Sequence, residues 1–169
     1  RGEDAVTPLA LTNGYRDNLQ TLLRAANINF DFVGSRNHGQ ASANFDTDHD
    51  GFGGSQIGGI AARVANGLLT GVQSEIFLLT LGTNDLRSTN KAVEDIVDEL
   101  DSLLNTITAL KPLSRVIVTS VPPVNAATTS FAGVNAAFAT RVTEFNQQLS
   151  TLITDKASSK ITFADAFNS

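Results

Sequence analysis

The sequence predicts an α/β fold, in which a parallel β-sheet is layered with helices. Apolar runs with the length of buried strands alternate along the chain with amphipathic helical stripes. Such alternation implies parallel strands joined by right-handed crossovers. The chain has 169 residues and is 41% hydrophobic, which suits one domain with one core over residues 1–169.

Four apolar runs are predicted to be strands: residues 28–33, 76–81, 115–120 and 160–163. The second run, EIFLLTLG, is almost continuously apolar and ends at Gly82, as expected of a strand covered on both faces. The third run is rich in β-branched residues and stops near two prolines, which do not continue a central strand.

Helices are predicted between these strands. The longest apolar stripe runs from Val93 to Leu110, and another runs from Val134 to Leu152. A weaker helix is predicted over residues 57–69, where two adjacent glycines lower the helix propensity. The first helix places five side chains on one face: Tyr15, Leu19, Leu22, Leu23 and Ala26.

Composition and charge exclude several classes of function. The net charge is −5 and no cluster of Lys and Arg is present, which argues against nucleic-acid binding. No apolar run reaches the roughly 18 residues of a membrane span. Cysteine is absent, which excludes disulfides, thiolate zinc sites and a cysteine nucleophile. This composition fits a secreted protein, so an extracellular location is expected.

An acidic loop at residues 46–51, DTDHDG, matches the first half of an EF-hand calcium loop. Asp46, Asp48 and Asp50 alternate up to Gly51. A calcium loop needs a bidentate acid at its twelfth position, which here is Ile57, and the flanking helix pair is missing. A weak calcium site stays open as an alternative to a solvated acidic loop, and no metal site is predicted.

The ends of the predicted strands indicate where a ligand would bind. Ligands of parallel α/β sheets bind beyond the carboxyl ends of the strands. The turn GTND places Asn84 at such an end, where its side-chain amide can donate to an oxyanion. Gly54 precedes a predicted helix, and a glycine lets the backbone N–H approach a substrate closely. Gly54 and Asn84 together predict a two-donor oxyanion hole.

At these motifs the chain resembles the SGNH (GDSL-type) hydrolases, particularly their carbohydrate-esterase branch. The resemblance lies in NGYRDNLQTLLRAANINFDFVGS, DHDGFGGSQI, FLLTLGTND and VIVTSVPPVN. It implies a three-layer α/β/α sandwich with a flavodoxin-like parallel sheet. It also implies hydrolysis of a small ester or an acylated carbohydrate by a Ser–His–Asp triad, without a cofactor. It assigns Gly54 and Asn84 to the oxyanion hole and Gly53, Asp85 and Pro123 to substrate binding.

Two motifs of that family are not found at their places in residues 1–169: the GDS serine block at the end of the first strand and the D-x-x-H block near the carboxyl terminus. Arg1 and Gly2 align with the end of the serine block, and Asp165 aligns with an acid that precedes D-x-x-H. We therefore expect this chain alone to be inactive and to lack the central first strand, which another segment or a second chain would supply. Ser55 and His49 are not expected to replace the triad, because Ser55 is predicted to start a helix.

The alternative interpretation is a non-catalytic relative of these hydrolases. Such a pseudoenzyme would keep the fold and have an extracellular structural or carbohydrate-binding role. Absence of the serine and histidine blocks from the native protein would favour this interpretation over ester hydrolysis.

Overall fold

The structure is a computed structural model that describes residues 14–39, 44–88, 90–123 and 135–166. These residues group into two compact units, one up to Gly54 with Thr70–Gln73 and the other Ser55–Leu69 with the residues from Ser74 onward. The helices are α1 (Arg16–Ala25), α2 (Ile57–Ala65), α3 (Thr83–Arg87), α4 (Val93–Leu110) and α5 (Ala136–Lys156). The strands are β1 (Arg36–Asn37), β2 (Asp48–His49), β3 (Ile76–Leu79), β4 (Arg115–Thr119) and β5 (Ile161–Ala164).

The second unit contains a parallel three-stranded sheet with the order β3-β4-β5. Ile76 pairs with Arg115, and Val116 pairs with Ile161, which sets the register of the two ladders. This sheet with its flanking helices confirms the predicted α/β fold, and three of the four predicted strands are present. In the part of the chain that the structure describes, β3 pairs with β4 alone.

The apolar core of the described residues lies entirely in the second unit. Val116 and Val118 alternate along β4 and are buried, while Ile117 between them is only partly covered. Helix α4 buries its apolar stripe as predicted up to Ile107, whereas Leu110 is 53% exposed. The buried residues of α5 recur at helical spacing: Phe138, Val142, Phe145, Leu149 and Ile153.

The prediction of a strand over residues 28–33 is wrong. The segment has no regular secondary structure, and the Phe32 N–H donates to the Asp46 carboxylate at 2.7 Å. An apolar segment becomes a strand only where a neighbouring strand accepts and donates its backbone hydrogen bonds. Here a side chain takes the place of such a partner, so the apolar run is not a strand.

Helix α1 buries a polar face, contrary to the expectation from its apolar stripe. Leu22 is 67% exposed, whereas Gln20 is fully buried and Arg16 nearly so. The Gln20 amide donates to the Asp46 carbonyl at 2.8 Å and accepts from the Asp46 N–H at 2.9 Å. Arg16 donates to the carbonyls of Thr47 and His38. Within the first unit, α1 therefore holds the acidic loop by its backbone.

Replacing Gln20 with alanine is expected to destabilise the protein by about 1–3 kcal/mol, because the Asp46 N–H and C=O lose their partner. Urea unfolding monitored by circular dichroism measures the change. Asn18→Ala is the matched control, since Asn18 is exposed on the same helix, and it should change stability little. Equal changes in the free energy of unfolding for the two variants would show that the hydrogen bonds of Gln20 to Asp46 do not stabilise the fold.

None of the helices in the described ranges combines the length and apolar character that crossing a bilayer requires.

Candidate active site

The turn between β3 and α3 requires glycine at position 82. Gly82 has φ of 109°, and a Cβ added there would lie 2.9 Å from Cζ of Phe145. Backbone with positive φ is strained for residues other than glycine. The tight turn lets α3 begin at Thr83, directly beyond the carboxyl end of β3. Asn84 therefore lies in the first turn of α3, at the edge of the sheet where the sequence predicts it.

The Asn84 side chain is half-buried and anchored at one of its amide hydrogens. Nδ2 donates to the Ser55 carbonyl at 2.9 Å. A primary amide has two N–H bonds, so this contact uses one of them and fixes the plane of the group. The residue types and the position suit a donor to a ligand oxygen at the end of β3.

Asp85 has no exposed surface, and its carboxylate binds backbone within the second unit. Both oxygens accept from the Ile57 N–H, at 3.1 and 3.2 Å. Burial raises the pKa of Asp85 above its usual value, partly offset by the hydrogen bonds with backbone N–H groups. The sequence predicts a substrate contact for Asp85, whereas its observed contacts are with the start of α2.

Arg141 of α5 holds the far end of α3, a role that sequence reasoning missed. Its guanidinium donates to the carbonyls of Leu86, Ser88 and Lys91 at 3.1, 3.2 and 2.8 Å. A cation at the carboxyl end of a helix also interacts favourably with the negative end of the helix dipole. The only signal in the sequence was an arginine beside the apolar stripe of α5, which is equally typical of a solvated helix face.

The ends of β4 and β5 are also fixed by side chains. Asn146 accepts from the Val121 N–H at 2.8 Å and donates to the Val121 carbonyl at 2.9 Å. Ser120 donates to Asp165 at 3.0 Å. Pro123 follows Val121 closely and is exposed. The chain therefore leaves β4 in a fixed direction, with Pro123 accessible from solvent.

Gly53 and Gly54 are exposed and belong to the first unit. Gly54 has φ of 76°, a conformation that favours glycine, and an added Cβ would meet no atom within 4 Å. The glycine at this position is therefore explained by the backbone conformation and not by crowding. Its pairing with Asn84 in an oxyanion hole stays a prediction.

Two carboxylates of the acidic loop, those of Asp46 and Asp50, accept hydrogen bonds from the loop itself and from residues 32 and 35. Asp46 accepts from the Asp48 N–H as well as from Phe32, and Asp50 accepts from the N–H and hydroxyl of Ser35 at 2.8 and 2.6 Å. In the described ranges no group of three or more His, Cys, Asp or Glu side chains could hold a metal ion. Through these contacts Asp46 and Asp50 have a structural role in the first unit.

Comparison with known proteins finds solved structures that are similar to this chain. No family model matches the chain, and no curated protein matches it. A family 3 carbohydrate esterase of Clostridium thermocellum is 27% identical, with a TM-score of 0.72 over 90% of this chain and 67% of its own. The chain has the SGNH hydrolase fold. The chain is also similar to an acetyl esterase mutant S10A solved with acetate, which is 23% identical with a TM-score of 0.72 over 89% of this chain and 72% of its own. A family 3 carbohydrate esterase of Talaromyces cellulolyticus is 22% identical, with a TM-score of 0.73 over 90% of this chain and 72% of its own.

In this SGNH fold, the hydrogen bond of His49 argues against its use as a catalytic base, and the helix-capping role predicted for Ser55 is wrong. Helix α2 begins at Ile57 after Gln56, so Ser55 does not cap it as predicted. The His49 Nδ1 accepts from the Gly51 N–H at 2.9 Å, which requires that nitrogen to be unprotonated. With the Nδ1 lone pair used in this way, the neutral imidazole carries its proton on Nε2, so neither ring nitrogen is free to take the proton of a serine hydroxyl.

The pKa of His49 is lowered to about 4, mainly by burial and further by Arg16, His38 and Arg36, while Asp50 acts in the opposite direction. A histidine whose folded pKa lies below its unfolded value near 6.5 resists protonation only in the folded state. Its contribution to stability is therefore present above pH 6.5 and is lost as the pH falls towards 4.

We expect His49→Asn to reduce the loss of stability between pH 6.5 and pH 4, because asparagine keeps an acceptor for the Gly51 N–H but does not titrate. Urea unfolding of both proteins at pH 7 and pH 4 measures the difference. The same loss of stability in the two proteins would show that His49 is not the titrating group.

Proposed function

We propose that the protein is an SGNH-type serine ester hydrolase that removes acyl groups, acetyl in particular, from carbohydrates or other small esters. The observation that carries the proposal is the position of Asn84, in the first turn of α3 beyond β3 with one amide hydrogen bonded to Ser55. The names of the similar solved structures, carbohydrate esterase and acetyl esterase, support the substrate class.

The proposed role of Asn84 follows from the charge that develops during ester cleavage. When a nucleophile adds to the acyl carbonyl, the carbonyl oxygen becomes an oxyanion. The second N–H of Asn84 would donate to that oxygen, and its bond to Ser55 keeps the amide oriented before the substrate arrives. A donor held in place in advance stabilises the transition state more than the uncharged ester.

The remaining parts of the mechanism come from the resemblance. Gly54 would supply a second N–H, and Gly53 and Pro123 would contact the substrate. A serine of the family's GDS block would attack, and the acid–base pair would come from the family's carboxyl-terminal D-x-x-H block; neither block is found at its place in residues 1–169. The serine Oγ would bond to the acyl carbon, its proton would pass through the histidine to the leaving alcohol, and water would then release the acid. An extracellular location is part of this proposal.

A fluorophosphonate, which forms a covalent adduct with activated serines, tests the proposed chemistry. The full-length protein should gain the mass of one adduct, and peptide mapping should locate that adduct on a single serine. Denatured protein serves as the control and should not react. A folded protein that gains no adduct would contradict a serine hydrolase and favour the non-catalytic, carbohydrate-binding relative.

A further inference from the structure

Asp85 caps a helix other than its own. The first N–H groups of a helix lack partners within it, and Gln56, at the N-cap of α2, makes no side-chain hydrogen bond to them. Asp85 of α3 supplies the missing acceptor, since both of its oxygens receive the Ile57 N–H. The negative carboxylate also faces the positive end of the α2 dipole. A fully buried acid is thus explained by one specific structural contact.

The neighbouring residue of α3 binds the same segment. Asn84 donates to the Ser55 carbonyl, and Asp85 accepts from the N–H of Ile57, two residues further along. Consecutive residues of α3 therefore hold the start of α2 at two points. The Ser55 carbonyl is what fixes the plane of the Asn84 amide, and the Asp85 contact fixes the segment that carries this carbonyl.

We propose that Asp85 is a positioning residue, which keeps Ser55 where it orients the Asn84 amide for the oxyanion. This inference rests on the proposed function and gives Asp85 an indirect role in place of the substrate contact predicted from the sequence. Asparagine at position 85 would keep one acceptor for Ile57 but bury an N–H₂ group in place of an oxygen. Glutamate would add a methylene group to a site with no exposed surface.

The test is a double-mutant cycle in the full-length protein with 4-nitrophenyl acetate as substrate. Asp85→Ala should lower kcat by about 10-fold with KM nearly unchanged, because the donor is displaced and not removed. Combined with Asn84→Ala, it should lower kcat little further, because Asp85 acts through Asn84. Asp85→Asn should lose less activity than Asp85→Ala. If the Asp85→Ala protein does not fold, Asp85→Asn replaces it in the double-mutant cycle.

Asp95→Ala is the matched control, since Asp95 is an exposed acid in the first turn of α4. It should leave kcat unchanged. Rates are compared per folded molecule, with the folded fraction measured by urea unfolding. Two results would overturn the positioning role while the proposed function stands. In the first, Asp85 variants lower kcat by the same factor with and without Asn84→Ala. In the second, Asp85 variants leave kcat unchanged while Asn84→Ala lowers kcat. If Asn84→Ala itself has no effect, the proposed function fails and this role fails with it.

Discussion

Replacing Asn84 with alanine in the full-length protein is expected to lower kcat for ester hydrolysis on the order of 10²-fold, with a smaller effect on KM. The reason is that the amide interacts more strongly with the oxyanion of the transition state than with the neutral ester. Steady-state hydrolysis of 4-nitrophenyl acetate gives both constants. The bond from Asn84 to Ser55 is lost in the same variant, so its stability must be measured alongside its activity.

Asn90→Ala is the control for this prediction, because Asn90 is exposed and lies shortly after α3. Its kcat should equal that of the unmodified protein. Should Asn84→Ala retain full kcat while remaining folded, Asn84 would have no part in catalysis. A rise in KM with kcat unchanged would indicate a ground-state contact with substrate and not stabilisation of the oxyanion.

Gly82→Ala is expected to destabilise the protein by about 2–5 kcal/mol. Two costs combine: alanine is strained at φ of 109°, and its Cβ would lie 2.9 Å from Cζ of the buried Phe145 ring. Phe145 has no exposed surface, so its ring has little room to move away. Urea unfolding measures the change in the free energy of unfolding.

Gly58→Ala is the matched control for the glycine substitution. Gly58 lies within α2, and an added Cβ would meet no atom within 4 Å. Because alanine favours helix more than glycine does, this variant should be unchanged or more stable by up to about 1 kcal/mol. A Gly82→Ala protein as stable as Gly58→Ala would contradict the account of the turn before α3.

Sequence patterns predicted much of the second unit because its two longest helices, α4 and α5, carry clear apolar stripes. The predicted stripe and helix α4 share the bounds Val93 and Leu110, and burial of the stripe as far as Ile107 provides much of the core. Residues 28–33 have a similar apolar composition, yet they form no strand, because pairing depends on a neighbour that the local pattern does not reveal. The polar face of α1 was missed because Gln20 and Arg16 resemble solvated residues until their loop partners are known.

The candidate site was predicted in part for a similar reason. A turn with a glycine after a buried strand indicated where Asn84 lies, because the carboxyl ends of parallel strands have a recurring role in ligand binding. The resemblance assigned Asp85 to substrate binding, whereas its observed contacts are with the start of α2. Consecutive helix residues differ by about 100° in direction, so a neighbour of an accessible side chain can be fully buried. Arg141 lies 57 positions beyond Asn84 in the numbering, and no local pattern links it to α3.

The most direct test of the proposed function is release of acetate from acetylated oligosaccharides by the full-length protein, followed by proton NMR. The account predicts acetate release well above the buffer rate, and a large loss of that activity in Asn84→Ala protein that remains folded. Absence of acetate release from folded protein, together with unchanged oligosaccharide, would contradict ester hydrolysis on acetylated carbohydrate as the function of this fold.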